Sequence, residues 1–410
     1  MAEDTSIGYS APRRQPQDFE QAANGSTEFA AFETHSDTPV DRLHHFLHAN
    51  PIAAPLLVLV GSCAVFGVIA NNFFSPFNLS LIIQQVTIIG ILAAAQTPII
   101  LTAGIDLSVA AIMVLSYMTM ARLAVLGGVP DVLAIGAGLV VALACGLLNG
   151  SLITRVRLLP ILIGVLLGFA LVETGVNLIY VLPAVFLAGL AVSLALPAFS
   201  FELRLPPFIV TLGTWSIFFA LNLWYSQSET IRSQDIDAEA ALLKVFGERV
   251  SVFGAQFTYG SFLMIAIFCV LWYLLNWTAW GRAVYAVGDD KEAAQLSGIN
   301  TDRVILSVYG LAGLLCGIGG WAAIGRVGSA SPQSFYEGNL DAITAVVIGG
   351  TSLFGGRGAI FGTLIGALIV GVFRSGLKLA GVEVLWQTFA VGLLIIIAVA
   401  MDQWIRKVGS

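Results

Sequence analysis

The 410 residues are 57% hydrophobic and only 11% charged, with a mean hydropathy of +0.89, whereas soluble globular chains carry about 25% charged residues. This excludes a soluble domain and predicts an all-α, polytopic transmembrane helical bundle, because a hydrocarbon core of about 30 Å takes roughly 20 apolar residues per helix and leaves the backbone no water to bond. The net charge of −6 says nothing of partners, since much of the acidity sits in the N-terminal tail and one long loop.

Residues 1–50 are polar, contain Pro12, Pro16 and Pro39, and show little apolar periodicity. They are expected to form a disordered cytosolic tail. The first apolar run begins near Ile52, too late for a cleavable signal. His35, His44, His45 and His48 fit no common metal spacing and read as solvated tail residues.

Apolar runs then follow at about 52–70, 79–98, 107–126, 132–149, 158–175, 178–199, 206–226, 259–277, 304–325, 339–354, 359–378 and 384–402. That makes about twelve candidate crossings. With a cytosolic N-terminus, Arg155, Arg157, Arg204, Arg282, Lys291, Arg303, Arg357, Arg406 and Lys407 all fall on the cytosolic side, as the positive-inside rule requires. The long loop 227–258 carries more acid than base and is expected to be extracytoplasmic. Cys63, Cys145, Cys269 and Cys316 lie inside apolar runs and read as small buried hydrophobes. Gly358, Gly362 and Gly366 repeat every fourth residue, and Gly313 with Gly317 and Gly146 with Gly150 make two further small faces. Such faces serve close helix packing, either static or as sliding surfaces in a transport cycle.

Catalytic chemistry is missing. No histidine lies inside an apolar run, and none of Lys244, Lys291, Lys378 or Lys407 follows a glycine, so there is no phosphate loop. Any nucleotide chemistry must come from another chain. Ionisable residues near membrane depth are the candidates for function. Asp106 with Ser108 reads either as a broken helix lining a pathway or as an N-cap for a helix starting at Leu107. Asp341, at another helix start, has the same two readings. Glu173 reads as a surface turn, and Arg326 and Arg374 as snorkelling residues.

Between two of these runs, residues 287–300 form a polar island. A solvated spacer is the plain reading of Asp289, Asp290, Lys291 and Glu292. The alternative is a short helix over Glu292 to Leu296, started by Asp289 or Asp290 and stopped by Gly298, of a shape suited to a groove in a partner. Glu292-Ala293-Ala294 followed by Gly298 resembles the Glu-Ala-Ala loop with which the membrane subunit of an ABC importer contacts its ATPase.

Four blocks extend that resemblance. Leu101 to Val109, Gly146 to Gly150 with Asn149, Gly281 to Asn300, and Leu340 to Gly358 are similar to the membrane subunits of the ribose, xylose and fructose class of bacterial sugar ABC importers, over roughly residues 52–408. Within the class, Glu229 to Asp237 and Asp402 to Arg406 look most like fructose-type permeases. The resemblance implies an inner-membrane permease with both termini cytosolic, paired with a second copy, an ATPase subunit that binds the ATP, and a periplasmic sugar-binding protein that selects the sugar. It assigns Gly288, Glu292, Ala293, Ala294, Leu296 and Gly298 to the ATPase-coupling loop within 278–303, and makes Asp106, Ser108, Asn149 and Asp341 candidates for the pathway or a helix break. No cofactor or metal is expected in this chain, and no nucleic acid; lipid is the other partner.

One departure stands out. The family pattern runs from the equivalent of Leu158 directly to Pro206, so the segment 158–204 is an insertion. It is expected to add two crossings to about ten family helices, or a re-entrant pair with the same parity. An ion-coupled secondary transporter, using Asp106 or Asp341, is the alternative function.

Overall fold

A computed structural model describes residues 52–154, 167, 170–195 and 205–408. The expected tail 1–50, and Arg155, Arg157 and Arg204, lie outside the described residues. The elements in chain order are α1 Ala53–Ile69, α2 Pro76–Leu101, α3 Val109–Ala121 with one π-helical turn Arg122–Leu126, α4 Asp131–Thr154, α5 Leu178–Ala195 and α6 Pro207–Ser226. They continue with α7 Ser233–Glu239, a 3-10 stretch Ala241–Gly247, the hairpin β1 Arg249–Val252 and β2 Ala255–Thr258, then α8 Tyr259–Trp277, α9 Ala279–Asp289 and α10 Lys291–Leu296. The chain ends with α11 Thr301–Val327, α12 Gly338–Ile348, α13 Ile360–Leu379 and α14 Val384–Val408.

Seven described helices are long and apolar enough to cross a membrane: α2, α3 with its π turn, α4, α6, α8, α11 and α13. The run expected to cross at 339–354 does not. It folds as an 11-residue helix, α12, followed by the glycine-rich turns around Gly349, Gly350, Gly355 and Gly356. At 1.5 Å per residue α12 spans roughly 16 Å, about half a bilayer core. Hydropathy counts apolar residues and is blind to this early stop.

Composition places the layers. Every residue of α3 from Val109 to Ala121 is buried, and α2 is buried without a break from Gly90 to Leu101. A helix apolar all round belongs in the middle. Around these two pack α4 and α11, while α13 lies against α2 and α12, α8 against α2, and α6 against α3. The outer faces of α1 and α14 expose Val60, Val68, Leu385 and Phe389, the apolar surface that lipid would cover. Cys145 and Cys316 are buried as expected, but Cys269 is exposed on α8; it meets the bundle's apolar exterior, so residue type alone did not place it.

The small faces are backbone contacts. A Cβ on Gly146 would lie 2.3 Å from the Tyr309 carbonyl, and one on Gly313 would lie 2.4 Å from that of Ala142. α4 and α11 therefore touch backbone to backbone, which only glycine permits. Gly366 meets Ala345 and Gly362 meets Gly349 in the same way, seating α12 on α13. Of the segment 158–204, expected to be an insertion, α5 is described at its N-terminal end: Tyr225 donates to the Ile179 carbonyl at 2.9 Å and Tyr180 to that of Gly127 at 2.8 Å. This anchors the start of α5 beside the ends of α6 and α3.

Candidate functional site: a broken helix beneath an exposed capped helix

α2 stops at a left-handed residue. The Gly104 N–H bonds the Ile99 carbonyl and the Ala103 N–H that of Ile100, with Ala103 at φ 59°. This is a Schellman stop with alanine where glycine is usual, a conformation that costs about 1–2 kcal/mol. The chain then runs non-helically until Ser108, and α3 begins at Val109, two residues later than the expected start at Leu107.

Unwound backbone inside a bundle needs partners, and side chains from other helices supply them. Asp106 Oδ1 accepts from both the backbone N–H and the hydroxyl of Ser108 at 2.7 Å. Asn149 of α4 donates to Asp106 Oδ2 at 3.3 Å and to the Ser108 hydroxyl at 2.8 Å. With its amide oriented to satisfy both groups, Gln96 bonds the backbone C=O and N–H of Asp106 at 3.2 and 3.0 Å. Thr211 of α6 donates to the Ile105 carbonyl at 3.0 Å, and Asn339 to that of Leu107 at 3.0 Å.

Asp106, Ser108 and Asn149 are thus brought together and are all fully enclosed. Asp106 turns back onto Ser108 rather than capping a helix from Leu107. In this conformation the three lie inside one chain, not on its surface. Two orphans sit in the same helix layer: Asn149 Oδ1 and the Tyr309 hydroxyl are buried without a partner.

Asp341 is elsewhere and is not a cap. Glu337 stands at the start of α12, and Asp341 lies in its first turn. Its carboxylate accepts from Arg374 of α13 at 2.6 Å. Arg374, expected to snorkel, is paired with it while its side chain stays 37% exposed. Glu173 is exposed at a turn, as expected. A further candidate is Arg122, the lone charge of the apolar run 107–126. It is buried in the π turn, donates to the Ser226 carbonyl at 2.6 Å and faces the Tyr225 ring at 5.7 Å.

The polar island folds as α9, a break at Asp290, and α10. Thr278 caps α9 through the Gly281 N–H. Asp290 caps α10, accepting from the Glu292 and Ala293 N–H groups at 2.9 Å each. Gly298 ends it at φ 85°, with the Ile299 N–H on the Ala294 carbonyl. Ala294 alone of this helix faces inward, whereas Glu292, Ala293 and Leu296 are exposed, Leu296 at 91%.

Gly288 joins the island to the break. A Cβ there would lie 1.7 Å from the Leu101 carbonyl oxygen, which itself accepts from the Gly356 N–H at 3.0 Å. Gly355 presses on the Gly288 carbonyl and on Ala103. The island, the end of α2 and the turn after α12 therefore form one backbone knot, a few residues from Asp106.

The profile of the family described as branched-chain amino acid transport system, permease component, matches residues 160–399. The chain belongs to this permease family. It is 49% identical to the fructose import permease protein of Rhizobium meliloti over 396 residues, 96% of this chain and 97% of that protein. It is 34% identical to the ribose import permease protein of Bacillus subtilis over 363 residues, 88% and 95% of the two chains. With the ribose import permease protein of Escherichia coli K12 it shares 31% over 355 residues, 85% and 91%. No solved structure matches at a significant level. Membership agrees with the resemblance drawn from the sequence blocks, and makes this permease a multi-pass transport subunit rather than an enzyme.

Proposed function

We propose that the protein is the permease subunit of an ATP-driven importer in a bacterial inner membrane, two copies of which enclose a pathway for a monosaccharide, a fructose-like hexose or a pentose. The observation that carries this is α10: a capped, anchored helix that holds an apolar Leu296 and the Glu292-Ala293 edge out from the bundle. Asp290 and Gly298 fix both ends of α10, so Leu296, 91% exposed, is presented on a rigid element, as an anchor side chain for a groove in a partner would be. The partner is an ABC ATPase subunit, which binds the ATP and moves Gly288, Glu292, Ala293, Ala294, Leu296 and Gly298 as one body. Through Gly288 the motion reaches Leu101, Ala103 and the Asp106 break on one side and α12 on the other.

A soluble sugar-binding protein docks on the opposite end, at residues 227–258, and the N- and C-termini are cytosolic. The inserted segment 158–204 adds an even number of crossings. Sugar as the cargo rests on the names of the relatives, the fructose import permease foremost. An ion-coupled carrier is less well supported, because the two carboxylates it would use are already paired: Asp106 with Ser108 and Asn149, and Asp341 with Arg374.

The test is uptake of labelled D-fructose and D-ribose by vesicles holding the permease with its ATPase and binding protein. Uptake that needs ATP and all three components supports the reading. Uptake by the permease alone, driven by an ion gradient, would overturn it.

A further inference from the structure

The connection between α11 and α12 enters the bundle. At one end Ala330 pairs with Ile231 of the long loop. At the other, Gly338 lies against Leu92 and Ala110, and Leu92 is well inside α2. The residues between are not helical, yet Gln333, Tyr336 and Glu337 are exposed. Open backbone and an exposed carboxylate at such depth are tolerated where they face water, not lipid.

Opposite this connection, Trp215, Phe219 and Asn222 of α6 share one face, spaced as i, i+4 and i+7. Trp215 and Phe219 stack with centroids 6.1 Å apart and planes at 13°. Tyr336 stands edge-on to both, at 5.5 and 5.6 Å, brought there by Phe335 in a left-handed conformation at φ 59°. The three rings and Asn222 line a narrow cleft together with Pro332 and Ser334. Asn222 Nδ2 donates to the Pro332 carbonyl at 2.9 Å, but Asn222 Oδ1 is buried in the cleft with no partner at all. Leaving a buried acceptor unmade costs about 1–3 kcal/mol, and a hydroxyl donor would recover it.

Flat aromatic faces beside an unpaired amide oxygen match one kind of solute, with apolar C–H faces and many hydroxyl donors. We propose that Trp215, Phe219 and Tyr336, with Asn222 beside them, are a contact site for a monosaccharide in transit. This rests on the permease reading above. The cleft has room here for little more than a water molecule, so sugar enters when Tyr336 swings off α6.

The test uses vesicles with all three components. Trp215→Ala, Tyr336→Ala and the double variant are compared with Trp224→Ala, the same change on the opposite face of α6, and with Trp215→Phe. The cleft variants should lower D-fructose uptake about tenfold or more, while ATP hydrolysis stimulated by the binding protein persists and Trp215→Phe restores much of the uptake. Uptake by the double variant within about twofold of the parent, or an equal loss from Trp224→Ala, overturns the proposal. Tyr336→Cys should also react with a water-soluble maleimide above the background of the four native cysteines; no reaction puts the residue in lipid or against the second copy, and overturns it too. Failure of the permease reading would look different, as absence of ATP-dependent uptake in the parent.

Discussion

Replacing Gly288 by alanine tests the knot between the coupling helix and the Asp106 break. The new Cβ would sit 1.7 Å from the Leu101 carbonyl oxygen and 2.7 Å from the Gly356 nitrogen. Carbon contacts settle near 3.5 Å, so one backbone must withdraw by roughly 1.8 Å. Both obstacles are main chain, and no rotamer can turn away. Overpacking of this kind costs about 3 kcal/mol, the upper part of its range. Losing the Gly356 to Leu101 hydrogen bond adds about 1 kcal/mol, and alanine's better helix propensity returns less than about 1 kcal/mol. The net is about 3 kcal/mol, roughly a hundredfold in the local equilibrium. Gly213→Ala on α6 is the control, since nothing lies within 4 Å of its Cβ position. Purified variants would be heated in detergent and the monodisperse fraction measured, with uptake in parallel. Gly288→Ala should lose heat resistance and uptake together, whereas Gly213→Ala should match the parent. Equal behaviour of the two would refute the close approach and the coupling route built on it.

The remaining expectations concern single contacts. Asp106→Ala strands the Ser108 N–H and hydroxyl, both of which donate to Asp106 Oδ1, at about 1–3 kcal/mol per buried donor, so its folded yield after solubilisation should fall well below that of Asp106→Asn, which keeps an acceptor. Asp341, the buried partner of a partly exposed Arg374, makes a pair whose coupling a double-mutant cycle with Asp341→Asn and Arg374→Gln reads directly; heat resistance should fall with Asp341→Asn by about 1 kcal/mol or less of coupling. Leu296→Ser removes a side chain that touches little of this chain, so heat resistance should hold while ATPase binding in a pull-down weakens; unchanged binding would count against α10 as the docking element. Asp290→Ala removes the cap of α10 at about 1 kcal/mol, and hydrogen exchange over residues 291–297 should quicken with little change elsewhere.

Much of this was legible along the chain. The short helix expected over Glu292 to Leu296 is Lys291–Leu296, because a cap such as Asp290 and a stop such as Gly298 act within a turn of the residues they serve. The break near Asp106 was visible for the same reason, as Thr102, Gly104 and Asp106 interrupt an apolar run. Its support was not: Thr211 and Asn339 come from two other helices, and the one local hint was Gln96, an amide inside the otherwise apolar α2. Arg122 also carried a hint, as the lone charge in its run.

The sequence by itself determined the solvent and the local starts and stops. Transfer of apolar residues into lipid depends on composition, and caps depend on near neighbours, so membrane class, most spans and the capped α10 needed no tertiary information. Which side chains meet is decided by how each helix is rotated about its axis and which neighbour it packs against, and 3.6-residue periodicity is silent on both when a helix is apolar all round. The pairing of Asp341 with Arg374, of Asp106 with Asn149 and of Trp215 with Tyr336 therefore belongs to the tertiary structure. So does the halving of the run at 339–354, where backbone contact of Gly349 with Gly362 ends α12 against α13 and turns an apparent crossing into a half-helix.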